Sequence, residues 1–384
     1  MSANLLLPQG FRGSGLAAGI KKSGAKDLAL IVNEGPIKFG TAVFTSNKIV
    51  AAPVTWSRAV VKDHEVSAIL LNSGGANACT GPAGFADTHK SGEYLAEKLG
   101  VSSADIVICS TGMIGERLPM ERVLSGIDSA VAALSSGSGH DLAEAIMTTD
   151  THPKFFARDF KGARIFGMAK GAGMLAPSLA TMLVVIAIDA VPQSNAAEIF
   201  ERAISETFNR IDSDGCMSTN DTVTFMASGS SGITLSDAEF YELLFECCDY
   251  LAKALINDAE GHSKVISITT KNAASIVDAE LVGKACARNN LLKCAIHGED
   301  PNWGRILAAI GTVNASFDPY VIDVSMNGVM VCRDSAPGDE RTLVDMSGKQ
   351  VDIVIDLKSG SHEATIWTND LTAEYVHENS DYSS

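Results

Sequence analysis

Short, nearly continuous apolar runs alternate along the chain with stretches whose apolar residues recur every three or four positions. That alternation predicts strands interleaved with helices. Residues 28–32, 42–45, 68–72 and 106–110 are apolar or β-branched and end in turn signals, as strands buried on both faces do. The run from Met182 to Ile188 stops at Asp189, so it reads as another buried strand, far below the roughly 20 residues a membrane-spanning helix needs. Residues 86–99 follow a helical pattern closed by Gly100 in the C′ position. Ile199, Phe200, Ala203, Ile204 and Phe208 recur at helical spacing. Ser236 and Glu239 form a capping box that opens a helix carrying Phe240, Leu243, Cys247 and Leu251. Towards the end, 351–357 alternates in part and 364–367 is apolar or β-branched, so both read as strands. The class this predicts is mixed α/β with substantial antiparallel content.

Composition narrows the function. With 384 residues, 46% hydrophobic and 20% charged, the chain is of ordinary globular make-up, not a disordered one. Its length is that of two or three domains' worth of core, or of one large α/β unit. The net charge of −16 argues against nucleic acid or an anionic membrane as partner. Charge is unevenly shared. Residues 1–180 carry 17 basic and 15 acidic side chains, whereas 181–384 carry 13 and 31. No linker marks that change, because a Gly-rich turn at 171–173 runs straight into the apolar strand near 182, so both halves are expected to share one core.

Motifs for common chemistries are missing: no P-loop, no HExxH, no GxSxG elbow. Gly13, Gly15 and Gly19 are spaced like a dinucleotide loop with one residue too many and no hydrophobic strand before them, so a flexible N-terminal turn is the expectation. The eight cysteines form no CxxC pair and read as reduced core thiols, so no metal site is expected. With no basic, apolar leader at Met1, the cytoplasm is the expected compartment. His152 and His297 read as hydrogen-bonded structural or surface histidines, not catalytic bases.

Six segments nevertheless fall in a recognisable order: Ser110–Met120, Ile146–Lys154, Lys170–Leu183, Ser218–Thr222, Asp300–Arg305 and Asn379–Ser384. Together they resemble the ornithine acetyltransferase family of arginine biosynthesis, the ArgJ type, from about Gly10 to the last residue. The resemblance implies an N-terminal-nucleophile-like fold of mixed sheets layered with helices. It further implies self-cleavage between Ala180 and Thr181 into a 1–180 fragment and a 181–384 fragment sharing one core, assembled as an α2β2 heterotetramer. The implied reaction moves the acetyl group of N2-acetyl-L-ornithine to L-glutamate through acetyl-Thr181 in a ping-pong mechanism, without a cofactor.

Residue chemistry is consistent with that expectation. A Thr hydroxyl is a weak nucleophile and needs a base. Cutting before Thr181 would free its α-amine, which titrates near about 7.7–8.0 and can take the hydroxyl proton at neutral pH. By resemblance, Thr111 and Gly112 supply the oxyanion donors. Thr148, Lys170, Thr181, Glu260, Asn379 and Ser384 bind substrate. On sequence alone, Lys170 reads more readily as a solvated surface lysine, and Thr149 and Thr151 compete with Thr148. Gly75, Met217 and His262 depart from the family's usual residues, which bears on loop packing and fine specificity. Acetyl-CoA as a second donor stays open. The acidic second half favours recycling from N-acetylornithine over it. Two other classes remain: an N-terminal-nucleophile amidohydrolase or aminopeptidase using the same Thr181, and a silent binding protein of the same fold.

Overall fold

The computed structural model describes residues 5–176 and 182–381, so Ala180, Thr181 and Ser384 lie outside the described residues. Two compact units make up the described chain. The first takes residues 5–174, 182–209 and 216–258, the second 175–176, 210–215 and 259–381.

In the first unit the elements run β1 (Phe11–Leu16), β2 (Leu28–Asn33), β3 (Phe39–Phe44), α1 (Ala52–Val60), β4 (Ala68–Asn72), α2 (Gly81–Leu99), β5 (Ile106–Ser110), α3 (Met120–Ala132), α4 (Gly139–Ala145), β6 (Lys154–Phe160), β7 (Ala163–Lys170), β8 (Leu183–Ile188), α5 (Ala196–Glu206), β9 (Thr222–Ala227) and α6 (Asp237–Asn257). They form one sheet of order β1-β2-β4-β5 and another of order β3-β9-β8-β7-β6. Side-chain alternation explains the continuous apolar runs. Ala29, Ile31, Ile69, Leu71, Val107 and Cys109 face a core shared with Phe166, Met168, Leu183, Val185 and Ala187 of the other sheet. The intervening Leu28, Leu30, Val32, Ala68, Leu70, Ile106 and Ile108 pack under Leu95 of α2 and Val123 and Ile127 of α3. Beyond the second sheet, Phe200 of α5 stacks on Phe225 of β9 with ring centroids 5.4 Å apart, and Phe240 of α6 meets it edge to face at 5.8 Å. Strands β2, β4, β5 and β8 are therefore buried on both faces, and each buried Leu or Ile contributes about 1.5–3 kcal/mol.

The edge strand β5 is covered by α1, where the Ser57 hydroxyl donates to Ile108 O at 2.8 Å and Trp56 Nε1 donates to Ile106 O at 2.9 Å. Strands from before and after residue 180 are direct neighbours, with Lys170 of β7 opposite Leu183 of β8.

Gly13–Gly19 departs from expectation. Instead of a flexible turn, residues 11–16 form β1, paired with β2 from Phe11↔Asn33 to Leu16↔Leu28. Gly13 and Gly15 are there for contact: a Cβ on Gly15 would lie 2.0 Å from Asp141 O, so α4 rests directly on the strand. The helix expected at 86–99 starts earlier, at Gly81 with Pro82 in its first turn, and ends as expected at Gly100, φ +69°. The capping box of Ser236 and Glu239 is present at the start of α6. Phe208 falls just past α5, still fully buried.

The second unit adds β10 (Val265–Ala273), α7 (Ile276–Ala287), α8 (Asn290–His297), α9 (Trp303–Ile310), β11 (Asp323–Met326), β12 (Val329–Arg333), β13 (Ala336–Pro337), β14 (Gln350–Asp356), β15 (His362–Asn369) and α10 (Ala373–Asp381). Its sheet runs β13-β12-β11-β14-β10-β15. Val351, Ile353 and Ile355 of β14 are fully buried and pack with Val282, Cys286 and Ile306 of the helices, which accounts for the partial alternation. No helix among the described residues is long and apolar enough to cross a membrane. None of the eight cysteines is in a disulfide. Five are buried, whereas Cys79, Cys216 and Cys294 are exposed and so are not the core thiols expected.

Candidate active site

The site is built where β4 and β5, running in parallel, end side by side at Asn72 and Ser110. The chain turns at once into Thr111 and Gly112. Thr111 N–H donates to Asn72 O, and Thr111 O accepts from Gly75 N–H, both at 3.0 Å. Gly112 has φ +132°, and a Cβ there would sit 2.8 Å from the Gly75 nitrogen, so conformation and space both require glycine. Its N–H donates to no partner among the described residues. A backbone donor held rigidly without a partner beside a hydroxyl is what an oxyanion needs. Gly75, one of the departures from the family pattern, thus packs directly against this turn.

Lys170, the last residue of β7, is 1% exposed, which overturns the reading of a solvated surface lysine. Its Nζ donates to Thr111 Oγ1 at 3.3 Å. Burial of a lysine without compensating charge is costly. Here Asp150 lies close enough for Lys170 to act on it. Asp150 accepts from Gly171 N–H at 2.7 Å and from Thr148 N–H at 2.9 Å, so one carboxylate fixes the backbone beside Lys170 and beside Thr148. Lys154, whose side chain is wholly buried, bridges Asp150 at 2.6 Å and Asp258 at 2.5 Å. Burial pushes the Asp150 carboxyl up, but the charges of Lys170 and Lys154 and the Gly171 N–H outweigh it and hold the group below the usual carboxylate range.

Of the three neighbouring threonines, Thr151 already donates its hydroxyl to Asp258. Thr149 is exposed. Thr148 is half-buried, and its hydroxyl has no hydrogen bond among the described residues. The structure therefore brings Thr111, Gly112 and Lys170 together, with Thr148 tied to the same carboxylate.

Glu260 and Asn379 belong to the second unit. There Glu260 is half-buried and precedes Gly261, φ +58°, where a Cβ would meet Tyr375 N of α10 at 2.3 Å. Asn379 lies on the same α10, exposed, with Nδ2 donating to Tyr375 O at 3.0 Å. The segment carrying Glu260 and the terminal helix carrying Asn379 are thus packed against each other within this unit. His297 is hydrogen-bonded to Asp370 at 3.0 Å, and the exposed His152 to Thr151 at 2.9 Å, in keeping with structural and surface roles. Asp150 and Lys154 carry no sequence-level role. Their only signal is their place inside the Ile146–Lys154 segment.

Comparison with known proteins adds the following. A family model described as the ArgJ family matches residues 12–384. The arginine biosynthesis bifunctional protein ArgJ of Streptomyces coelicolor is 55% identical over 377 residues, covering 98% of each chain. ArgJ 1 of Streptomyces clavuligerus, under the same name, is 56% identical over 381 residues, 98% of this chain and 99% of its own. Among solved structures, ornithine acetyltransferase complexed with ornithine from Mycobacterium tuberculosis is 46% identical. It covers 44% of this chain and 92% of its own, with a TM-score of 0.40.

Proposed function

Because this chain belongs to the ArgJ family, we propose that it is an acetyltransferase of arginine biosynthesis that works through an acetyl ester on Thr181. The observation that carries the site assignment is the Thr111–Gly112 turn: a Gly112 N–H without a partner among the described residues, beside a hydroxyl that Lys170 Nζ approaches to 3.3 Å. Self-cleavage before Thr181 leaves an α-amine next to the nucleophilic hydroxyl. That amine takes the hydroxyl proton as Oγ1 attacks the acetyl carbonyl of N2-acetyl-L-ornithine. The Thr111 hydroxyl and Gly112 N–H stabilise the oxyanion. The proton then passes to the departing amine, ornithine leaves, and the amine of L-glutamate attacks the ester to give N-acetylglutamate and free Thr181.

Lys170, Thr148, Glu260, Asn379 and Ser384 hold the substrate in this reading. The Lys170 ammonium suits a substrate carboxylate and the Glu260 carboxylate suits a substrate ammonium. Charge distribution favours recycling alone. The two Streptomyces relatives, however, are named bifunctional, and we extend the reading to acetyl-CoA as a second donor. An α2β2 assembly in the cytoplasm completes it, and free thiols fit that compartment.

Intact-mass analysis with and without N-acetylornithine tests the proposal. Wild type should give two fragments, the one beginning at Thr181 gaining a single acetyl group, and double-reciprocal plots should be parallel. Thr181→Ala should stay one inactive chain. An uncut wild type with full activity would overturn the mechanism, and acetate released without glutamate dependence would point to the hydrolase instead.

A further inference from the structure

Ser218–Thr222 is the one segment of the first unit's resemblance to which no role has yet been given. It leads into β9, and two adjacent side chains in it reach in different directions. Asn220, 5% exposed, donates through Nδ2 to Ser110 O at 2.9 Å and to Ala76 O at 2.6 Å. Ser110 O belongs to the peptide that joins β5 to Thr111. Since the N–H of that peptide is already held by Asn72 O, Asn220 fixes its other side. Asp221, fully buried, accepts from Met182 N–H at 3.2 Å through Oδ1 and from Ser218 N–H at 3.0 Å through Oδ2, and it also takes the Ser218 hydroxyl. Met182 is the residue after Thr181, and its carbonyl in turn accepts from Thr222 N–H at 3.2 Å. Burial pushes the Asp221 carboxyl well up. Its three donors and the Lys170 charge oppose that rise.

Two consecutive residues thus grip two strands from opposite parts of the chain. We propose that Asn220 and Asp221 are positioning residues that set the register between the oxyanion turn and the nucleophile: Asn220 through the Ser110–Thr111 peptide, Asp221 through the Met182 N–H. This rests on the reading of Thr181 as nucleophile. Acyl transfer is steep in that separation, since displacement by about 1 Å can lower a rate by about 10²-fold. Neither side chain enters the reaction, and neither is a catalytic residue.

Full-length Asn220→Ala, Asp221→Leu and Asp221→Asn test this, each followed for the fraction cut, for kcat and KM of N-acetylornithine separately, and for thermal midpoint. Asp221→Asn keeps an oxygen that can accept the Met182 N–H. Asn220→Ala should lower kcat by about 10–100-fold with KM within about threefold, a split that general loosening would not give. Asp221→Leu should slow cutting by more than about tenfold, and Asp221→Asn should recover most of both cutting and kcat. Should Asp221→Leu fail to fold, Asn220→Ser and Asp221→Asn decide the matter, because both are small changes. Cutting and kcat within about threefold of wild type in Asn220→Ala or Asn220→Ser would overturn the proposal. So would equal losses in kcat and thermal midpoint without recovery by Asp221→Asn. Failure of the wild type itself to cut or transfer would instead fall on the reading of Thr181, so the two are told apart.

Discussion

Lys170 Nζ and Thr111 Oγ1 lie 3.3 Å apart although 59 residues separate them in sequence. The contact joins the last residue of one sheet's strand to the turn that leaves the other sheet. It places the Lys170 side chain at the turn whose Gly112 N–H has no partner among the described residues.

Lys170→Met keeps the length of the side chain and removes its charge. Transition-state and substrate charge would both lose a partner, so kcat/KM for N-acetylornithine should fall by about 10²-fold, near 2.7 kcal/mol. Steady-state kinetics on fully cut protein checks it. Activity within about threefold of wild type would leave Lys170 a structural lysine.

Thr111→Val preserves shape and deletes only the hydroxyl. Loss of one oxyanion donor should lower kcat by about 10²–10³-fold with little change in KM. Gly112→Ala should act differently. At φ +132° and with its new Cβ 2.8 Å from the Gly75 nitrogen, it should lower both kcat and the denaturant midpoint.

Lys154 is the shared cation of Asp150 and Asp258. Lys154→Met would leave two buried carboxylates facing one another and should cost about 3–5 kcal/mol, read from urea unfolding. Asp150 is held below its ordinary value in the fold. Its contribution is therefore present above the unfolded carboxyl's pKa and lost as pH falls through the lower folded value. The cost of Lys154→Met should therefore shrink as pH falls through that range, because wild type loses there the contribution that the variant already lacks, a trend read from urea unfolding at several pH values.

Asp212 behaves in the opposite sense. Burial pushes it to about 6, against the pull of Arg288 Nε at 2.7 Å, and its Oδ1 has no partner among the described residues. A raised folded value means that its stabilising share is complete below about 3.8 and disappears as pH rises through 6. At neutral pH the ionised group is a burden that the half-exposed Arg288 only partly offsets. Asp212→Asn should therefore stabilise the protein by about 1–2 kcal/mol at pH 7.5 and by less near pH 5, measured as thermal midpoints across pH.

The strands β2, β4, β5 and β8 were legible because both of their faces are buried, which leaves uninterrupted apolar runs in the sequence. The capping box of α6 was legible because it is local. What could not be read locally depends on partners far along the chain. Gly15 looks like turn glycine until Asp141 O, 126 residues away, is found where its Cβ would be. Lys170 resembles any surface lysine, and only Asp150 and Thr111 show why it is buried. Nothing in composition marks the passage between compact units at Asp258 and Ala259, since both sides carry ordinary helix and strand patterns. Thr111 and Gly112 were named by resemblance alone. Their bare Ser-Thr-Gly sequence says only that a turn follows a strand.

The five-stranded sheet places β9 and β8 in its middle, with β3 on one side and β7 and β6 on the other. A cut before Thr181 would assign the two central strands to one product and the three flanking strands to the other. Neither product could then build this sheet alone. The intact chain must fold first, as a unimolecular event, and the cut makes that history hard to repeat. After denaturation the mature protein should recover at a rate that scales with its concentration, because two chains must meet. The uncut Thr181→Ala chain should recover at a rate independent of concentration.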